Sequence, residues 1–320
     1  MVLVTGTPRS GTTPVGAALS LARGVRMIYE PMGPTGDVRI PGRFAIPGQP
    51  QFPLEAFHDF LDDLRTLHLR LAPQWRPPYA SMRFYQSLVR RIIGSRTRLS
   101  YMRARLSPAL GTLLWKDPMA ALAVPAILAS GIPTVMCVRS PLAHAASYKR
   151  RRWSVDIAPV YANFRACYGP VPIIESRFAA DREPTNTESA AMLWHLIYLL
   201  ALRLLRGCYG SFSVPLLLVM GSELEANEIE LYRRVYERLE LSFEGRPRRQ
   251  LEARMRRAAG REPGATKVHD WDRSIAGLNS YWKDVLGQEE VAMVAEMNSG
   301  IFQALEAMNA DSAQAARIAI

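Results

Sequence analysis

Five short apolar runs constrain this chain most: VLVT (2–5), VRMIY (25–29), TLLWK (112–116), PTVMCV (133–138) and VPLLLVM (214–220). Each is continuous rather than alternating, the pattern of a strand covered on both faces. Helical stretches separate them: about Thr12 to Ala22 after the first, MAALAVPAILAS after the third, PLAHAASYKRR after the fourth and SELEANEIELYRRVYERL after the fifth. Strand alternating with helix predicts an α/β fold, a parallel sheet of about five strands flanked by helices. Ligands in such sheets bind beyond the carboxyl ends of the strands, so the loops after each run are where chemistry belongs.

Between the runs, residues 32–53 are rich in Gly and Pro and read as loop. LEAFHDFLDDLRTLHLRL (54–71) places Leu54, Phe57, Phe60, Leu61, Leu64, Leu67 and Leu71 on one helical face. Residues 81–107 are basic and read as helical, and RPRRQLEARMRRAAGR (246–261) reads as a solvated basic helix face. Segments 32–110 and 246–285 are expected to form a cap over the strand ends of a single domain spanning 1–320. The longest apolar run, AAMLWHLIYLLALRLL (190–205), is shorter than the ~20 residues that span a bilayer and reads as a buried helix, not a transmembrane segment.

The first strand runs into TGTPRSGTT, and Gly6, Gly11 and Thr13 have the spacing of a nucleotide phosphate loop, which makes the sheet P-loop-like. Backbone N–H groups and a helix N-terminus bind an anion there, and glycine lets the backbone approach closely. The lysine that reaches the outer phosphates of a triphosphate is replaced by Thr12, and the loop instead supplies Arg9 and the hydroxyls of Ser10, Thr12 and Thr13. The competing reading is an ordinary helix N-terminus. A second anion site follows the fourth strand, where Arg139 emerges and Ser147 lies about two turns into a helix opened by Pro141. Taken singly, Arg139 reads equally as a strand-end salt bridge and Ser147 as a small packing residue.

PRSGTT after one strand, and VRSP with Ser147 after a later one, resemble the two cofactor signatures of PAPS-dependent sulfotransferases, PAPS being 3′-phosphoadenosine 5′-phosphosulfate. The resemblance implies that Pro8, Arg9, Ser10, Gly11, Thr12 and Thr13 hold the 5′-phosphosulfate and that Arg139 and Ser147 hold the 3′-phosphate, with no metal. YEP (29–31), WKDP (115–118) and SYWKDVLGQEEVAMVAEMNSGIFQALEAM (280–308) are similar in style to other family segments, whereas 32–110 matches none. Arg9 stands where aryl-type members carry lysine, and no R-K-G motif is found, which favours the bacterial or carbohydrate-type branch; Lys267 and Arg273 are candidates for adenosine-side contacts. The roles implied are Glu30 as general base, Arg9 stabilising the leaving phosphate, and Lys116 sharing that role or neutralising the sulfonate. Glu30 is expected in extended backbone ahead of Pro31. It also reads as a surface or capping glutamate, and Lys116 as the partner of Asp117. His58 and His144 are reserve bases, and His195 a satisfied core histidine.

Forty Lys+Arg against 29 Asp+Glu, a net +11, favour an anionic partner. Cys137, Cys167 and Cys208 form no C-x-x-C pair, which fits a reducing compartment and argues against a disulfide framework or zinc site. Met1 leads directly into a strand-like run, so a cytoplasmic protein without a signal peptide is expected. The expected partners are a small-molecule donor and a hydroxyl-bearing acceptor, a glycan or a lipid-linked one; peripheral membrane contact is compatible, and nucleic acid is not expected. Two competing functions remain: a P-loop nucleotide kinase or NTPase, which needs a lysine at position 12 and a magnesium carboxylate, and a charge-driven binder of anionic polymers.

Overall fold

A computed structural model describes residues 1–72, 94–179, 182–258 and 280–318. Lys267, Arg273 and the 81–93 part of the basic helical stretch lie outside the described residues. The strands are β1 (Val2–Thr5), β2 (Val25–Tyr29), β3 (Thr112–Lys116), β4 (Thr134–Val138) and β5 (Leu216–Met220). They form one sheet in the order β2-β3-β1-β4-β5, every pairing parallel. The α/β expectation is met. Pairing puts Val4 beside Lys116 on β3 and Val135 on β4, and Tyr29 beside Lys116, so the strand ends meet along one edge.

Helices cover both faces. On one, α1 (Thr12–Leu19) joins two later helices to bury Val2, Val4, Val135 and Cys137. The other face buries Leu3, Trp115, Met136 and Val138 beneath α2 (Leu54–Thr66), α3 (Arg96–Arg105), a 3-10 turn (Pro118–Ala123), α4 (Val124–Ala129), α5 (Pro141–Arg151), α6 (Ile157–Tyr168), α7 (Pro172–Phe178) and α8 (Asn186–Leu205). The helices completing the first face are α9 (Gly221–Arg238) and α10 (Arg246–Ala258); α11 (Gln288–Ile318) closes the chain after a 3-10 turn at Tyr281–Asp284. Neighbouring strand residues point to opposite faces, which is why both needed to be apolar.

Helix α8 is long and apolar enough to cross a membrane by length and composition, but 83% of its apolar window is buried inside the molecule, as in a core helix. Its His195 is the satisfied core histidine expected, its Nδ1 bonded to Met297 O at 2.9 Å.

Several boundaries differ from the sequence expectation. Helix α1 stops at Leu19, where the Ser20 hydroxyl bonds back to Gly16 O at 2.7 Å. Helix α2 stops at Thr66 because Leu67 turns left-handed at φ 60, so Leu67 and Leu71 leave its apolar face, and Leu54 at its start is 49% exposed. The chain then returns to bridge Leu71 to Asp37. The basic run at 246–258 is not wholly a solvated face: Leu251 and Arg254 are buried, and Arg254 pairs with Glu228 on α9.

Candidate active site

At the carboxyl edge of the sheet the loops border a cleft of about 1100 Å³. Pro8 to Pro14 form its floor, with Glu30, Lys116 and Arg139 from the ends of β2, β3 and β4. One wall is built by the 32–53 loop, through Arg43, Phe44, Gln49 and Gln51. The opposite wall comes from α5, α6 and their connection, through Tyr148, Trp153, Val160 and Asn163. Among the described residues Arg9, Arg43, Arg96, Lys116, Arg139, Arg152 and Arg254 line the cleft against Glu30 and Asp156, a balance that attracts anions.

The floor loop has the backbone its glycines require. Gly6 sits at φ 136, and a Cβ there would lie 2.3 Å from Cys137 O on β4. Gly11, at φ 103, caps α1 and offers no side chain to its first amides, which leaves them for an anion. Arg9 adopts φ 76. Its Nε donates to Ser147 Oγ at 3.2 Å, its carbonyl accepts from Arg139 Nη1 at 3.2 Å, and its guanidinium lies 5.8 Å from the Trp153 ring centroid. Burial, then Arg151 and Arg139, press that guanidinium down to about 10, so it is crowded by like charge yet ionised at neutral pH.

The two anion signatures, 130 residues apart, are thus in direct contact. Ser147 is 1% exposed and stands behind Arg9, whereas Arg139 lines the cleft. Thr12 is buried and Thr13 half-buried at the start of α1. Across the cleft, Lys116 Nζ donates to Glu30 Oε1 at 2.6 Å and lies 4.1 Å from the Tyr29 ring centroid. Lys116 is 2% exposed and Glu30 25% by side chain.

Glu30 is not extended. It takes φ 49, held by its N–H donating to Lys116 O at 2.8 Å and its carbonyl accepting from Gly33 N–H at 3.0 Å. A tight turn at the end of β2 overrides the bias of a residue before proline. Lys116 does not pair with Asp117. The buried Asp117 carboxylate instead accepts from the Met32 and Met119 amides at 2.6 and 2.9 Å and from Trp115 Nε1 at 3.3 Å, tying the 32–53 loop to β3. Burial and the neighbouring Glu30 push its carboxyl up to about 7. Neither reserve histidine lines the cleft: His58 is exposed on α2, and His144 is fully buried against Tyr148.

Other residues hold the site; Tyr281 falls in the 280–308 segment noted in the sequence, and Trp194 and Tyr198 carry no signal there. Tyr198 of α8 donates to Cys137 O at 2.6 Å, and its oxygen meets the Thr7 amide at 3.3 Å and Thr7 Oγ1 at 3.2 Å. Trp194, one turn earlier, donates to Arg139 O at 2.9 Å. Tyr281, in the C-terminal segment, donates to Ala143 O at 2.8 Å and places its ring centroid 5.2 Å from the Arg139 guanidinium. Only an alignment of partners across the fold reveals such second supports; Trp194 and Tyr198 read locally as apolar helix positions.

No family model matches the chain, and no curated protein matches it. Among solved structures it is similar to "Sulfotransferase Domain from the Curacin Biosynthetic Pathway", at 14% identity and TM-score 0.43, covering 93% of this chain and 97% of that one. It is similar to "Sulfotransferase Domain from the Synechococcus PCC 7002 Olefin Synthase", at 16% identity and TM-score 0.43, covering 92% and 93%. A third is "Crystal structure of sulfotransferase STF9 from Mycobacterium avium", at 12% identity and TM-score 0.40, covering 92% and 76%.

Proposed function

We propose that this chain is a sulfotransferase that moves a sulfuryl group from PAPS to a hydroxyl acceptor. The observation that carries the reading is the junction of the two anion signatures: Arg9 of the floor loop is clasped by Ser147 and Arg139 of the β4–α5 unit. A donor with phosphate on both ends of an adenosine needs two such sites in one cleft. The residues present suit it. Gly11 lines the cleft with open space beside it, the first amides of α1 face no capping side chain, and among the described lining residues the cations outnumber the carboxylates.

In this reading the bond between sulfur and the bridging phosphate oxygen breaks as the acceptor oxygen bonds to sulfur. Arg9 and the loop amides stabilise charge on the departing phosphate. Glu30 takes the acceptor proton, with Lys116 fixing its carboxylate and lying near the transferring group. Arg139 holds the 3′-phosphate, and Ser147 supports it through Arg9. The acceptor lies between the 32–53 loop and α6, where Gln49, Gln51 and Asn163 stand beside Phe44 and Trp153. Amides next to aromatic faces suit a glycan or glycolipid hydroxyl.

Calorimetry with 3′,5′-adenosine bisphosphate, beside ATP with magnesium, tests the reading on wild type and Arg139→Ala. Tight bisphosphate binding that weakens in the variant is expected. Preference for ATP with magnesium would replace this reading with a nucleotide kinase.

A further inference from the structure

The solvent face of α3 is built opposite to that of an ordinary surface helix. Its packing side buries Thr97, Tyr101 and Ala104 against the sheet edge, with Ser100 Oγ accepting from the Tyr29 amide at 2.9 Å. At 3.6 residues per turn, Leu99, Met102 and Leu106 form a stripe centred on the other side. Leu99 is half-buried, Met102 is 41% exposed and Leu106 77%, and among the described residues nothing covers the last two. Arg98 and Arg105 flank it on one side, Arg96 and Arg103 on the other, all exposed. An ordinary surface helix places polar residues at the centre of its outer face.

The charge is unbalanced as well. No aspartate or glutamate occurs between Asp63 and Asp117, while ten arginines and Lys116 do. Arg98, Arg103 and Arg105 have no carboxylate partner among the described residues. Arg96 and Arg98 stand in the first turn, where the helix dipole disfavours cations. Two exposed apolar side chains edged by arginines suit a lipid interface, where the side chains enter the headgroup boundary and the cations stay with the phosphates. We propose that α3 docks this protein on an anionic membrane surface, with Met102 and Leu106 entering the headgroup boundary and the arginines meeting lipid phosphate. Arg96 also lines the cleft and lies 5.3 Å from the Tyr29 ring centroid, so docking brings the cleft mouth to the bilayer. Apolar insertion distinguishes this partner from nucleic acid, which the arginines alone would serve. The proposal does not depend on the sulfotransferase reading.

Co-sedimentation with vesicles of phosphatidylcholine alone, and of phosphatidylcholine with phosphatidylserine, tests it on the full chain. Variants Arg98→Ala/Arg103→Ala and Met102→Ser/Leu106→Ser avoid the cleft, and melting curves verify that each is folded. Binding to the anionic vesicles only is expected. The arginine variant should lose roughly ten- to thirty-fold in affinity, since each basic residue near such a surface contributes about 1 kcal/mol. The apolar variant should lose affinity too, and added salt should weaken wild type. No binding to anionic vesicles, or equal binding by both variants, overturns the proposal. So does a wild-type dimer that Met102→Ser/Leu106→Ser dissolves, which would assign the face to a second copy.

Discussion

Glu30 and Lys116 form the contact on which the proposed proton transfer rests at the residue scale. They are 86 residues apart in sequence and 2.6 Å apart in space. In Glu30→Gln the amide oxygen still accepts from Lys116, but the side chain takes up no proton. Turnover should fall roughly a hundred- to ten-thousand-fold with bisphosphate affinity unchanged. Near-wild-type turnover would remove Glu30 from the mechanism. His144 gives a second residue-scale outcome. Burial, then Arg139, drives its ring down to about 3, below the ordinary value of 6.5. The unfolded chain therefore binds a proton that the folded chain refuses between those values. The stability from neutral His144 is complete above the ordinary value and is lost as pH falls through that window, by at most about 1.4 kcal/mol per pH unit. Urea unfolding at about pH 7 and about pH 5 should show a smaller acid loss in His144→Phe than in wild type. Equal losses would show that this ring is not the titrating group.

At the scale of elements, the floor loop depends on a helix that supplies no ligand contact. Helix α8 fixes the loops after β1 and β4, through Tyr198 on Thr7 and Cys137 and through Trp194 on Arg139. Tyr198→Phe removes one hydroxyl serving three groups. It should cost about 1–3 kcal/mol of stability and weaken bisphosphate binding while leaving the acceptor side intact. A variant with wild-type affinity would show that the loop holds itself. Gly6 is the complementary case. A Cβ there meets Cys137 O at 2.3 Å in a backbone at φ 136, whereas one at Gly131 meets nothing within 4 Å. Gly6→Ala should destabilise the fold by upwards of about 3 kcal/mol against about 1 kcal/mol for Gly131→Ala, and so lower the melting point far more. The Gly6–Gly11 spacing was legible in sequence because loop geometry is local. The supports from α8 were not, because an apolar helix carries no sign of which polar tips it aims at a loop.

For the whole molecule, the decisive quantity is charge gathered in one place. A net +11 spread over a surface would only favour solubility, but here, among the described residues, seven cations line one cleft with two carboxylates. A ligand that neutralises them stabilises the folded state, by about 2.7 kcal/mol at a hundredfold excess over Kd. Sodium sulfate should raise the melting temperature more than sodium chloride of equal ionic strength. Because sulfate also strengthens burial generally, the diagnostic is a smaller gain in Arg139→Ala. An identical gain in the variant would place the anion elsewhere.

By itself the sequence determined the parallel sheet and which of its loops border the cleft. Strand runs, their apolar continuity and glycine spacing are local properties, each readable within a few residues. It also singled out Arg9, Glu30, Lys116 and Arg139, because each lies at or just beyond the carboxyl end of a strand, the edge where such sheets bind ligands. Only the tertiary structure decided who meets whom. Lys116 turned to Glu30 rather than Asp117, Ser147 went behind Arg9, Arg254 was drawn into the core by Glu228, and α3 was left with an apolar face outward. Those outcomes depend on side-chain reach and burial summed over elements far apart in the chain. Pairing of charges at low dielectric, and the need to satisfy buried polar groups, are settled only when the whole sheet edge is assembled.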